Sequence, residues 1–283
     1  MATRSRRSSR GPIVAALVVA AVVVGGFFGV RALWDKAQNA FSADQCTVGS
    51  YDIDPDQASV AATMVGAVTS YRPALPERAA VLVLAAGLQE SKLTNLAPGA
   101  GDRDSVGVLQ QRPSQGWGNP PGNEASLNDV FEATNEFLDK LVQVSGWQHL
   151  PLSDAVQAVQ ISADGSAYGP HEGEAQALAD ALQGRRAKDI SCSFSKPTKV
   201  AAPSRVASLA QHDLPINAPD VTATGVRVPG AGWQTTAWFV ANADRLGIEQ
   251  VAYAGWRWTR ADGWTGDRGA GKSAVVATMY QLS

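Results

Sequence analysis

The sequence predicts a mostly α-helical protein, with a helical domain behind one N-terminal transmembrane helix and a small C-terminal α/β module. Three observations predict it: an apolar run of membrane-spanning length near the N-terminus, helical patterning from about 51 to 192, and a compositional break over 195–229. The chain has 283 residues and is 45% hydrophobic, enough for roughly two domains with real cores.

Arg4, Arg6, Arg7 and Arg10 precede the apolar run PIVAALVVAAVVVGGFFGV, Pro12 to Val30. At about 1.5 Å per residue this run is long enough to cross a bilayer. Residues 1–11 then read as a basic cytoplasmic tail and 12–33 as the transmembrane helix. By the positive-inside rule everything after Trp34 is exported, which makes this a single-pass protein of the cell membrane. A cleavable signal peptide is the competing reading, but it has a shorter apolar region, and no A-x-A-like site follows closely. Beyond the first ten positions the basic residues form no stripe and the net charge is −2, so nothing points to nucleic acid.

The two cysteines are Cys46 and Cys192. In an exported protein an even count reads as a disulfide; the alternative is two unrelated buried thiols.

Between the cysteines the pattern is helical. DQASVAATMVGAVTSYR and PERAAVLVLAAGLQES are helix candidates, the second with Pro76 at a first-turn position. EASLNDVFEATNEFLDKLVQV places Leu127, Phe131, Phe137, Leu138 and Leu141 on one face. SDAVQAVQIS and EGEAQALADALQGR follow, the last stopping at Gly184. Residues 46–194 therefore read as one helical domain. Residues 195–229, rich in Ser, Pro, Ala, Thr and Lys, read as a linker. Residues 230–283 combine a helix, TTAWFVANADRLG, with strand-like runs IEQVAYAG, WRWTR and SAVVATMY. Trp256, Trp258 and Trp264 in this module either form its core or present an aromatic surface.

Glu90 is the most informative residue. From Val81 to Leu88 every residue is apolar or Gly, and a carboxyl at the end of so oily a helix must be paired, point into a cleft, or hold its proton because it is poorly solvated. The partial negative charge at a helix C-terminus pushes its pKa in the same direction. The bland alternative is a Glu that caps a surface turn, satisfied by Ser91 and Gln110.

Downstream lies GDRDSVGVLQQRPSQGWG, positions 101–118. Glu90–Ser91 followed by Ser105-x-Gly107-x-Leu109-Gln110 resembles the signature of lytic transglycosylases and goose-type lysozymes over roughly 55–190. With QQRPSQGWG, which includes Gln111, it is similar to an actinobacterial group of membrane-anchored, lysozyme-like envelope proteins. The resemblance implies a lysozyme-like fold and cleavage of peptidoglycan glycan strands, with Glu90 as general acid and base and Ser91 orienting its carboxyl. It implies no cofactor and no metal. A protein that keeps the fold only to bind glycan or an assembly partner is the alternative.

Glycosidic cleavage needs an acid still protonated near neutral pH, and a hydrolase needs a second carboxylate to activate water. Asp102 or Asp104 is either that second group or part of a salt-bridged turn with Arg103. A transglycosylase needs only one Glu, with the substrate's own acetamido group assisting. The AYNAG element that many of these enzymes carry is missing; Gln160 and Tyr168, in AVQISADGSAYGPHE, stand where it is expected. Trp117, between two glycines, either stacks on a sugar ring or plugs the loop.

Two further motifs mislead. GDRGAGKS, Gly266 to Ser273, fits a phosphate-loop pattern, but it follows RADGWT rather than an apolar strand and precedes only ten residues, so no nucleotide is expected. His171–Glu172 lacks the second His of a zinc motif.

Overall fold

The computed structural model describes residues 44–161 and 165–282. The expected cytoplasmic tail and transmembrane helix lie outside them. Among the described residues no helix is long and apolar enough to cross a membrane.

The chain enters through β1 (Gln45–Val48) and turns back as β2 (Tyr51–Ile53). Helix α1 (Pro55–Ser70) starts at Asp54, whose N–H donates to Gln57 Oε1 at 2.7 Å. Helix α2 (Arg78–Ser91) is buried at every position from Ala79 to Leu88. A helix apolar on all sides needs neighbours on all sides, and α2 has them: α1, α6 and the 3-10 segment that holds Tyr168. It stops where Lys92 and Leu93 take left-handed conformations, φ 54° and 57°.

The long helix expected from Glu124 is two helices, α3 (Glu124–Asn128) and α4 (Val130–Leu141). Asp129 divides them, being extended and capping α4 through Oδ1, which accepts the Phe131 and Glu132 N–H groups at 2.9 and 3.2 Å. There follow α5 (Leu152–Gln160), a 3-10 segment (Gly165–His171), α6 (Glu172–Leu182) and β3 (Ile190–Ser193). Strands β2, β1 and β3 form an antiparallel sheet in that order. Cys46 and Cys192 face each other across β1 and β3 and are joined by a disulfide.

Segment 195–229, expected as a linker, carries α7 (Pro203–Asp213), β4 (Asp220–Val221) and β5 (Gly225–Pro229). Helix α7 buries Val206, Ala207, Ala210 and Asp213. The carboxylate of Asp213, 3% exposed, accepts from Thr63 of α1 and from the Trp238 indole, both at 2.9 Å. Gly66 makes this docking close: a Cβ there would lie 2.3 Å from the Asp213 carbonyl oxygen. The chain ends with α8 (Trp233–Ala241), α9 (Ala243–Leu246), β6 (Ile248–Tyr253), β7 (Trp256–Thr259), β8 (Gly263–Gly266) and β9 (Ala274–Met279). The second sheet has the order β4-β5-β9-β6-β7-β8 and is antiparallel throughout. The phosphate-loop-like segment joins β8 to β9, so a strand follows it where a phosphate loop requires a helix.

The expected mostly α, lysozyme-like fold is therefore corrected. The described residues are about 43% helix and 17% strand, in sheets of three and six strands. Strands β1, β2 and β3 are three or four residues long and hidden by the helices around them, while β4 and β5 sit in a Pro- and Ala-rich segment with no alternation to read. The later sheet is also fastened to the earlier one. The Trp258 and Trp264 indoles donate to the Cys192 and Ile190 carbonyls at 3.0 and 2.8 Å. Arg260, 3% exposed, bonds the Ser195 and Ala243 carbonyls and the Asp244 carboxylate. Trp258 is buried core, whereas Trp256 remains partly exposed beneath the Lys188 ammonium.

Candidate functional site

Glu90 projects from the last turn of α2, where the buried helix meets the loop that follows. The Tyr168 hydroxyl donates to its Oε1 at 2.6 Å. Burial pushes the Glu90 carboxyl above the ordinary glutamate range, and hydrogen bonds from Tyr168 and Gln160 oppose the rise without cancelling it. Gln160 and Tyr168 thus meet at Glu90 although they lie about 70 residues downstream.

The loop over 101–112 is held from two helices. The Ser91 hydroxyl donates to the Val108 carbonyl at 2.8 Å and accepts the Thr94 N–H at 3.1 Å. The Gln160 amide donates to the Leu109 carbonyl at 2.9 Å. Ser91, expected to orient the Glu90 carboxyl, instead ties the loop to the helix end. Within the loop, Val106 and Gln111 exchange backbone bonds, and the Gln110 amide donates to the Gly107 carbonyl at 2.8 Å. Gly107 is required there because its φ is 77° and a Cβ would sit 2.1 Å from the Leu127 carbonyl oxygen. That close approach is the physical content of the Ser-x-Gly pattern.

These parts enclose a cavity of ≈ 540 Å³, with Glu90, Ser105, Gln110, Gln111, Gln160 and Trp117 in its walls. Asp102, Arg103, Arg112, Gln115 and Ile161 complete the lining. Ser105 and Gln111 are buried, and the Gln111 amide donates to the Ala133 carbonyl at 3.1 Å. Its Oε1 is buried with no partner among the described residues.

Asp104 does not line the cavity. Its Oδ1 accepts from Arg112 Nε and its Oδ2 from the Ser114 N–H, both at 2.8 Å. The Ser114 hydroxyl and N–H, and then the Arg112 guanidinium, hold its carboxyl well below the usual carboxylate range. It is thus an anchor of the loop. Asp102 lies at the cavity's edge, 90% exposed, with Arg103 3.9 Å away. Trp117 is only 5% exposed; the Lys140 ammonium sits 3.1 Å from its ring centroid, and Glu136 accepts the neighbouring Gly118 N–H at 2.8 Å. It forms a wall of the cavity, closer to the plug than to an open stacking platform.

Arg112, Gln115, Ile161 and Lys140 are at the site without having been expected there from the sequence. Arg112 and Gln115 stand inside the quoted QQRPSQGWG; Lys140 carries no local signal, because its contact with Trp117 spans two elements. A separate cavity of ≈ 520 Å³, walled by Trp233, Tyr253, Gln183 and Asn217, has no carboxyl in its lining. Among the described residues no group of three or more His, Cys, Asp or Glu could hold a metal ion. No protein-family model matches the chain, and no curated protein matches it.

Proposed function

We propose that this chain cleaves peptidoglycan glycan strands at the outer face of the cell membrane, in the manner of a lytic transglycosylase, with Glu90 as general acid and then base. One observation carries the reading: Glu90 stands in the cavity wall with its carboxyl held above the ordinary range by burial, while Asp104 lies outside the lining and is engaged with Arg112 and Ser114. That pattern suits a one-carboxyl reaction better than a two-carboxyl hydrolysis. The disulfide suits a compartment that is oxidising.

In this reaction Glu90 gives its proton to the glycosidic oxygen as the C1–O bond breaks, and the sugar's acetamido oxygen stabilises C1. The Glu90 carboxylate then takes the proton from the C6 hydroxyl of the same sugar as that oxygen closes on C1. An anhydro end forms, the proton on Glu90 is restored, and no water is consumed. Tyr168 and Gln160 bond the charged form of Glu90, so they support the half of the cycle in which it is a carboxylate. The four glutamines that line the cavity, Gln110, Gln111, Gln115 and Gln160, carry both donors and acceptors suited to sugar hydroxyls.

The test is digestion of purified peptidoglycan by the full-length protein, with mass spectrometry of the released fragments. Anhydro ends are expected. Reducing ends would assign hydrolysis instead, and no release by a demonstrably folded protein would assign glycan binding without turnover.

A further inference from the structure

The cavity of ≈ 520 Å³ beside Trp233 and Tyr253 shares no lining residue with the Glu90 cavity, and its wall includes the start of α8: Gly232, Trp233, Gln234 and Thr235. A helix leaves its first N–H groups without partners inside the helix, and a capping side chain usually takes one or two of them. Here none does. The N-cap is Gly232, and the first N–H paired within the helix is that of Thr236, with the Gly232 carbonyl at 3.0 Å. The N–H groups of Trp233, Gln234 and Thr235 have no acceptor among the described residues. A side chain would fit at the N-cap, because Gly232 has an ordinary φ of −132° and a Cβ there would meet nothing nearer than the Tyr253 hydroxyl at 3.8 Å. The donors are thus left bare by the choice of residue and not by crowding. A second observation concerns Thr235: it is 3% exposed and lines the cavity, and its hydroxyl makes no hydrogen bond among the described residues.

We infer that this cavity binds an organic carboxylate, held by the bare N–H groups of α8 and the Thr235 hydroxyl, with the ligand's apolar part against the Trp233 and Tyr253 rings. Those rings stand edge to face, 5.2 Å between centroids and 82° between planes, and Ile216 adds to the apolar wall. The lining has no Asp or Glu to occupy the donors and no Lys, Arg or His to add charge. A helix N-terminus carries roughly half a positive charge, which suits one negative charge shared by two oxygens better than the two charges of a phosphate. The amides of Gln183 and Asn217 in the same lining are suited to a peptide group beside the carboxylate.

The experiment titrates the full-length protein, isotopically labelled at tryptophan and threonine nitrogen, with N-acetyl-leucine, its neutral amide, isocaproate and inorganic phosphate, and follows the backbone N–H signals of Trp233 and Thr235 by NMR. The two carboxylates should bind at least about 10-fold more tightly than the amide or phosphate. Preference for N-acetyl-leucine over isocaproate supports a peptide end as the source of the carboxylate; no such preference supports a free acid. Gly232→Asp gives the helix a carboxylate of its own, so it should weaken both ligands at least about 10-fold with thermal stability kept, whereas Gly232→Ala adds only a methyl and should leave affinity within about 3-fold. Thr235→Val should weaken them about 5-fold or more. Thermal melting checks folding, and Gly232→Asp decides the matter should Thr235→Val not fold. Equal binding of acid and amide, tighter binding of phosphate, or undiminished binding by the Gly232→Asp protein overturns the site, and none of these results bears on cleavage by Glu90.

Discussion

The Tyr168 hydroxyl and Glu90 Oε1 lie 2.6 Å apart, joining a 3-10 segment to the last turn of the most buried helix. This bond acts against burial. Desolvation keeps the proton on Glu90, and the phenol stabilises the state after the proton has left. A group that must first give and then take a proton needs both influences.

Replacing Tyr168 with Phe removes one of the two opposing influences, leaving that of Gln160, while keeping the ring in its buried place. The Glu90 pKa should rise further, so the limb of the pH–rate profile where activity falls as Glu90 loses its proton should move to higher pH. The profile of glycan cleavage checks this; a limb that stays in place or moves to lower pH sinks the assignment.

Glu90→Gln keeps nearly the same volume but has no proton of carboxylic strength to donate. Cleavage should fall by at least about 100-fold with the fold intact. Stability near neutral pH should increase. The folded-state pKa of Glu90 is raised, so its contribution is fully present below the unfolded value and is lost as pH rises through the folded one. The amide does not undergo that loss. Melting temperatures across pH are the measurement, and the gain of the variant should close as the pH falls below the ordinary glutamate range.

Asp104→Asn separates an anchor from a base. If Asp104 serves only to hold Arg112 and the Ser114 N–H, the variant should keep cleavage within about 10-fold and give the same anhydro ends. A loss as deep as that of Glu90→Gln, with the fold intact, would falsify the one-carboxyl mechanism.

How far the sequence revealed this site depends on the range of each signal. Glu90 was legible because a carboxyl at the end of an unbroken apolar run is locally anomalous, and Ser105, Gln110 and Gln111 because their spacing is local too. The helices over 55–70, 78–91 and 172–182 were legible for the same reason. Tyr168 was visible only as a position out of pattern, since its partner is 78 residues away. Lys140 was not visible at all. Asp104 read equally well as base or anchor, and only the geometry of Arg112 and Ser114 decides between them. Helix α7 was missed because its apolar positions are Val and Ala in a polar stretch, and its buried anchor, Asp213, is a residue type that sequence patterns place on surfaces.

Removing the disulfide by Cys46→Ser with Cys192→Ser should lower stability by about 2–5 kcal/mol, because the crosslink closes a long loop of the unfolded chain. Denaturant unfolding measures the loss. A change below about 0.5 kcal/mol would show that the three-stranded sheet holds the ends together without the crosslink.

The bonds from Trp258 and Trp264 to the carbonyls of Cys192 and Ile190 bear on how such a protein can be inherited. A segment that ends at β3 would leave those carbonyls bare and the Gly66 face of α1 without its covering helix. The two halves are therefore poor candidates for shuffling between genes. A descendant that exchanged its C-terminal sheet for another would have to supply new donors to the β3 carbonyls, so the two stretches are bound to travel together as a single heritable piece.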